Sequence, residues 1–205
     1  MHPRVLSADA WQTVRSLVDG GWLDSWTLAG GTGLALHLGH RYSEDLDLFR
    51  VEPFDPAALA QSLSQVGLVR VQQSANDTLH VELNGLRVSF LRSETPLLFS
   101  GTAYRGLVVA DPRDIAVMKV IAAGGRGSRK DFVDLFFFLE CGGSLAGVLS
   151  MVEQRFRNVD FNTYHLMKSL VYFEDAEAEP MPRMIRPVEW TTVKERLITE
   201  VRRLS

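Results

Sequence analysis

The chain has 205 residues, 46% of them apolar and 23% charged, an ordinary balance for a globular protein that excludes a long disordered chain. Its formal net charge of −3 excludes a generally basic nucleic-acid binder and leaves any such contact to a local basic patch. The single cysteine, Cys141, excludes an internal disulfide and a thiolate zinc cluster and fits a reducing compartment.

In chain order, MHPRVLSADAW lacks the apolar core of a signal peptide, and no apolar run approaches the roughly 20 residues needed to span a bilayer. The expectation is a cytoplasmic protein with no membrane partner. Ser7 is a candidate N-cap for a helix carrying Trp11, Val14 and Leu17. Residues 25–29 form a short strand candidate entering Gly30-Gly31, and residues 32–38 return to helix. The alternation D-L-D-L-F over 45–49 predicts a strand. Asp55-Pro56 then opens a helix carrying Leu59 and Leu63.

The run TLHVELNGLRVSFL places Asn84-Gly85 between two alternating segments, the pattern of a two-residue hairpin. In that register Leu83 faces Leu86, Glu82 faces Arg87 and His80 faces Ser89. One face is apolar (Val81, Leu83, Leu86, Val88, Phe90), and the other carries His80, Glu82, Arg87 and Ser89. From Asp111-Pro112 the pattern turns helical, to about Ala123 and a Gly124-Gly125 stop. Ser128-Arg129-Lys130-Asp131 reads as a capping box that starts a second helix through Glu140. Cys141, at that helix end, reads as a buried and inert thiol. Later helices are expected over 145–156, 162–172 and 191–204, with an acidic, then proline-bearing loop at 174–187. The organisation is α+β (α/β): an α/β core over 1–110, then a helical half over 111–205.

The chemistry concentrates in LAGGTGLALHLGHRYSEDLDLFR. Asp45 and Asp47 are two apart on a strand, so their carboxylates share one side. At about 6 Å and an effective dielectric near 20, their repulsion is roughly 3 kcal/mol, which a divalent cation would offset. A Gly30-Gly31 turn leading into a helix lets backbone N–H groups approach an anion. The glycine spacing matches neither a Walker loop nor a dinucleotide fingerprint. A phosphate-binding turn beside an Asp-x-Asp strand points to a triphosphate held through Mg²⁺, whose hard oxygen ligands are carboxylates and phosphates. The bland alternative is a glycine cap followed by an edge strand with solvated acids.

GG-T at 30–32 followed by His40-Arg41-x-Ser43-x-Asp45-x-Asp47 resembles the signature of the DNA polymerase β-like nucleotidyltransferase superfamily, and within it the AbiEii/AbiGii-type nucleotidyltransferase toxin family. DPRDIAVMKVIAAGGRGSRKDFVDLFFFL is similar to two later helices of that family, and YFEDAEAEPMP resembles a further segment. The resemblance implies a polymerase β-like core with a mixed sheet and a helical second half that completes the site. It implies that Asp45 and Asp47 hold Mg²⁺ with the nucleoside triphosphate, and that Gly30, Gly31 and Thr32 contact its phosphates, with Arg41 and Ser43 nearby. Lys119 would neutralise phosphate charge, and Lys130 and Arg126 would add more. Of Asp131 and Asp134, one turn apart, one would act on the acceptor while the other supports it. The implied reaction moves a nucleoside monophosphate onto an RNA such as a tRNA 3′ end, or onto a protein hydroxyl. The implied context is a toxin with a cognate antitoxin.

Structural alternatives stand beside these roles. Asp131 is equally the third residue of a capping box, Asp134 could pair with Lys130 four residues away, and Lys119 could be a snorkelling surface lysine. His37, His40 and His80 form no metal-ligand spacing. The superfamily's third acid falls in Arg87–Leu91, where this chain has Ser89; Glu82 on the neighbouring strand is a partial substitute, Asp131 is a candidate base, and activation of the acceptor by metal alone would need none. That departure supports a second reading, a nucleotide-binding or interaction module that has lost turnover. A third reading, a helical partner-binding domain, would use the acidic 174–179 segment on a basic partner.

Overall fold

The Asn84-Gly85 turn forms with positive φ at both residues, as a two-residue hairpin requires, and the predicted register holds pair for pair. It joins β4 (Thr78–Leu83) to β5 (Leu86–Arg92) in this computed structural model, which describes residues 1–125, 127–157 and 162–204; Arg126 lies outside them. The other strands are β1 (Thr27–Leu28), β2 (Asp45–Arg50), β3 (Val69–Ala75), β6 (Thr102–Tyr104) and β7 (Leu107–Val109). Among the described residues they form one seven-stranded mixed sheet in the order β3-β4-β5-β2-β1-β7-β6.

Strands β3, β6 and β7 have no counterpart in the sequence reading. Strand β3 is a polar, largely exposed edge strand, so its residues show no alternation, and its pairing with β4 makes it a strand. The β6–β7 turn places Arg105 at φ 51° before Gly106 at φ 82°, a left-handed site where the turn signal would be Asn or Asp.

Helix α1 (Ala8–Asp19) is capped by the Ser7 hydroxyl, and α3 (Pro56–Leu63) by the Asp55 carboxylate, both as expected. Helix α2 (Gly30–Leu38) begins two residues early, so Gly30 and Gly31 form its first turn. The inner face of the sheet buries Leu28, Leu48, Val88 and Phe90 with Val14 and Leu17 of α1. Each such side chain is worth about 1.5–3 kcal/mol when fully buried.

The second half is α4 (Pro112–Gly125), α5 (Arg129–Glu140), α6 (Leu145–Arg155), α7 (Thr163–Ser169), α8 (Glu174–Glu177) and α9 (Trp190–Arg202). Val117, Phe132, Leu135, Val148, Leu170 and Leu197 form its apolar cluster. No single helix is long and apolar enough to cross a membrane.

Three local expectations are corrected. The capping box at 128–131 does not form: Ser128 Oγ donates to Glu179 Oε2, which also accepts from Arg129 N, so an acid distant in sequence caps α5. Cys141 is exposed, because α5 ends there and its side chain falls outside the helical cluster. The acidic stretch contains the short α8, and two of its acids serve the fold internally, Glu179 at α5 and Glu177 on Lys194 at 2.6 Å.

Candidate active site

Strand β2 runs centrally, parallel to β5 and antiparallel to β1, so the edge-strand alternative for its acids fails. Leu46 and Leu48 point into the core, and Asp45 and Asp47 point to the opposite face. In the β2–β5 register Asp45 lies opposite Arg87 and Asp47 opposite Ser89. Arg87 Nε stands 2.6 Å from Asp45 Oδ1, and Lys130 Nζ 4.0 Å from Asp45 Oδ2. Burial pushes the Asp47 carboxyl above the usual range; Lys119 pulls the other way, and Asp45 adds to the rise. This is the electrostatic state of a carboxylate whose charge exceeds its local compensation.

The start of α2 is built around these acids. Ala29 N donates to the Asp47 carbonyl at 2.9 Å, and Thr32 Oγ1 donates to the Asp45 carbonyl while lying 2.7 Å from Ser43 Oγ. The glycines are needed for close approach. A Cβ on Gly30, at φ 59°, would sit 2.2 Å from Asp47 Oδ2, and one on Gly31 would sit 2.1 Å from Arg41 Nη2. The first backbone N–H groups of a helix have no intrahelical partner, and this end borders the acids' clefts through Gly30, Gly31 and Thr32. Gly30→Ala is expected to destabilise by about 1–3 kcal/mol through the clash and the left-handed backbone. Denaturant unfolding checks this, and unchanged stability would contradict the packing described.

Behind the acids lies a buried ion-pair network. Asp134, fully buried, accepts from Arg41 Nε at 2.7 Å and Arg41 Nη2 at 3.0 Å, with His40 Nε2 at 2.8 Å and Lys119 Nζ at 2.7 Å. Lys119 also donates to Asp131 Oδ1 at 2.7 Å. Burial alone would raise the Asp134 carboxyl, but Arg41 and Lys119 hold it well below the usual range. Burial would lower the Lys119 ammonium, and Asp134 and Asp131 more than offset that. The surface alternatives are therefore corrected. Asp134 does not pair with Lys130, and Lys119 does not snorkel, because α4 packs directly on α5 and turns these residues inward.

His40 stood in the sequence reading only as part of the His40-Arg41 signature, with no role; it joins the network through Asp134. Burial holds His37 and His40 below the ordinary imidazole value, against the Ala110 carbonyl and Asp134 respectively. The unfolded chain thus binds protons that the folded chain refuses, and stability falls as pH drops through about 6.5. Urea midpoints at pH 7.5 and 5.5 measure this, and equal midpoints would refute it.

Two clefts flank the acids. One, of about 280 Å³, is lined by Gly31, Thr32, Arg41, Ser43, Lys119 and Lys130 together with Asp45 and Asp47. The other, of about 420 Å³, shares Asp45, Asp47, Lys119 and Lys130 and adds His80, Ser89 and Asp131. Among the described residues, the structure thus brings the sequence-predicted ones to one region: Gly30 borders the second cleft, and Asp134 lies beneath, in contact with Arg41 and Lys119. Met181, Pro182 and Arg183 close one wall of the first cleft; the Tyr42 N–H donates to the Arg183 carbonyl and Ile185 N to the His40 carbonyl. No sequence signal linked that strap to the site. Glu82 faces Arg87 and lines a separate cleft with Arg4 and Asn84, away from Ser89, so it does not take the third-acid position. Among the described residues no group of three or more His, Cys, Asp or Glu converges to hold a metal.

Residues 13–100 match the family described as "Nucleotidyl transferase AbiEii toxin, Type IV TA system". The chain belongs to the AbiEii nucleotidyl transferase toxin family. It is 36% identical over 181 residues to the uncharacterized protein aq_aa25 of Aquifex aeolicus, covering 86% of this chain and 87% of that one. Two Helicobacter pylori structures share the fold. JHP933 has a TM-score of 0.56 at 16% identity, covering 97% of this chain and 93% of that one. A putative nucleotidyltransferase has a TM-score of 0.58 at 15% identity, covering 95% and 91%. The antibiotic-resistance factor ANT(2'')-Ia has a TM-score of 0.51 at 16% identity, covering 73% of this chain and 93% of that one. The mixed sheet of this AbiEii-family chain is a nucleotidyltransferase fold.

Proposed function

We propose that this AbiEii-family protein is a Mg²⁺-dependent nucleotidyltransferase that moves a nucleoside monophosphate from a triphosphate to a hydroxyl on RNA, such as a tRNA, or on protein. The observation that carries the proposal is the position of Asp45 and Asp47, on one face of a central strand between two clefts. The donor set fits the metal: Asp47 is under-compensated, both groups offer hard oxygens, and Mg²⁺ is commonly held by one or two carboxylates plus substrate phosphates. Asp45 and Asp47 would hold it, and when bound it supplies positive charge to the phosphates.

The first cleft takes the triphosphate. The N-terminal turn of α2 offers backbone N–H groups at Gly31 and Thr32, Ser43 adds a hydroxyl, and the half-exposed Lys130 contributes a mobile cation. Lys119 borders the same space with its charge shared between Asp131 and Asp134. The second cleft takes the acceptor, so that its hydroxyl approaches the α-phosphate opposite the leaving pyrophosphate. Such a protein would act in the cytoplasm as a toxin restrained by a cognate antitoxin.

The test is transfer of label from each of the four nucleoside triphosphates, with Mg²⁺, to total RNA or total protein. Transfer is expected with the wild-type chain and absent with Asp45→Ala/Asp47→Ala; no labelled product from any triphosphate overturns the catalytic reading. Ser89 opposite Asp47 favours a second reading, a nucleotide-binding module without turnover. That reading requires calorimetric binding of Mg²⁺-triphosphate without transfer, and absence of binding would end it.

A further inference from the structure

The row of residues running across the sheet from Asp47 is continuous. Asp47 on β2 faces Ser89 on β5, and Ser89 faces His80 on β4, all on the side of the second cleft. Ser89 stands opposite Asp47 and opposes the rise that burial gives its carboxyl, and His80 Nδ1 lies 2.9 Å from Ser89 Oγ. A serine hydroxyl has one proton. When Ser89 turns that proton toward Asp47, its Oγ meets His80 as an acceptor, and in that arrangement Nδ1 carries the hydrogen and Nε2 keeps its lone pair. The ring is half-buried and borders the cleft that also holds the acids.

We infer that His80 is the general base for the acceptor hydroxyl, oriented through Ser89 by Asp47. The inference rests on the nucleotidyltransferase reading and assigns the proton that the missing third acid would have taken. In the step, the acceptor oxygen bonds to the α-phosphorus and the bond from that phosphorus to the bridging oxygen of the β-phosphate breaks. The electron pair of the broken bond leaves with pyrophosphate, and the acceptor's proton passes to His80 Nε2, directly or through one water. The imidazolium that results is stabilised by the Asp47 carboxylate through Ser89. The charged groups lining the cleft around the ring are Asp45 and Asp47 from β2, Arg87 from β5, Lys119 from α4, and Lys130 and Asp131 from α5. Gln72 of β3 adds no charge. Asp131, the other candidate base, is already engaged by Lys119.

Two measurements test this on the full chain. Imidazole ¹⁵N spectra of the wild-type protein above neutral pH are expected to show His80 protonated at Nδ1, a preference lost in Ser89→Ala; an Nε2-protonated ring overturns the inference. Turnover in the labelling assay is expected to fall about 10²-fold in His80→Gln with KM for the triphosphate unchanged. Unchanged turnover, or a raised KM with unchanged turnover, overturns the base role. If wild-type protein transfers no label, the parent reading fails and the base role falls with it, whereas label transfer insensitive to His80→Gln defeats the base role alone.

Discussion

Asp134→Ala is expected to destabilise the fold by about 3–5 kcal/mol, because it leaves Arg41 and Lys119 charged, buried and without their shared carboxylate. Folded domains hold a margin of only about 5–15 kcal/mol, so this is a large share of it. For a chain of this size the loss corresponds to a fall of roughly 6–20 °C in melting temperature. Asp134→Asn keeps the volume but removes the charge, and should fail in the same direction. The alternative position for Asp134, exposed and paired with Lys130, would give an effect of a few tenths of a kcal/mol. Thermal unfolding of Asp134→Ala within 1 °C of wild type would therefore contradict the buried network. Because Arg41 lies against Gly31 and Lys119 borders both clefts, the variant should also lose triphosphate binding.

Asp47→Asn is expected to do the opposite to stability while abolishing transfer. Burial raises the Asp47 carboxyl, so the folded chain holds the ionised form at a disadvantage at neutral pH. The sign follows: a carboxyl whose folded pKa is raised favours folding more when protonated, and a neutral amide removes the penalty. Metal-free Asp47→Asn should melt at or above the wild-type temperature. Wild type should gain stability on adding Mg²⁺ with triphosphate, and the variant should gain much less, since a ligand stabilises only the state that binds it. Label transfer should drop to that of a protein-free control. Retained transfer in a folded Asp47→Asn protein would remove Asp47 from the reacting centre. Stability lost at one carboxylate and preserved at the other separates the acid that holds the site together from the acid that acts in it.

Both acids were legible as residues of interest, but their roles were not equally legible. The pairing of Asp45 with Asp47 needs only the two-residue period of a strand, and the Asn84-Gly85 hairpin needs only its turn chemistry. The caps at Ser7 and Asp55 are likewise local, because cap and helix lie within a few residues. Such features depend on interactions that neighbouring residues make whatever the rest of the chain does.

What tertiary structure decided lies at long sequence separation. Strand β5 pairs with β2 across some forty residues and thereby sets Ser89 against Asp47 and Arg87 against Asp45. Helices α4 and α5 pack on α2 and bury Asp134 against His40 and Arg41. Glu179 travels from the late strap to replace the expected cap of α5, and β3 becomes a strand only because β4 offers it an edge. In each case two local solutions were open to the side chain or segment, and each differed from the other by about a kcal/mol or less. Burial and charge pairing between distant segments are worth several times that. By itself the sequence determined the acids, the glycines and the hairpin; the packing of distant segments decided which acids line the clefts and which is buried in the ion-pair network.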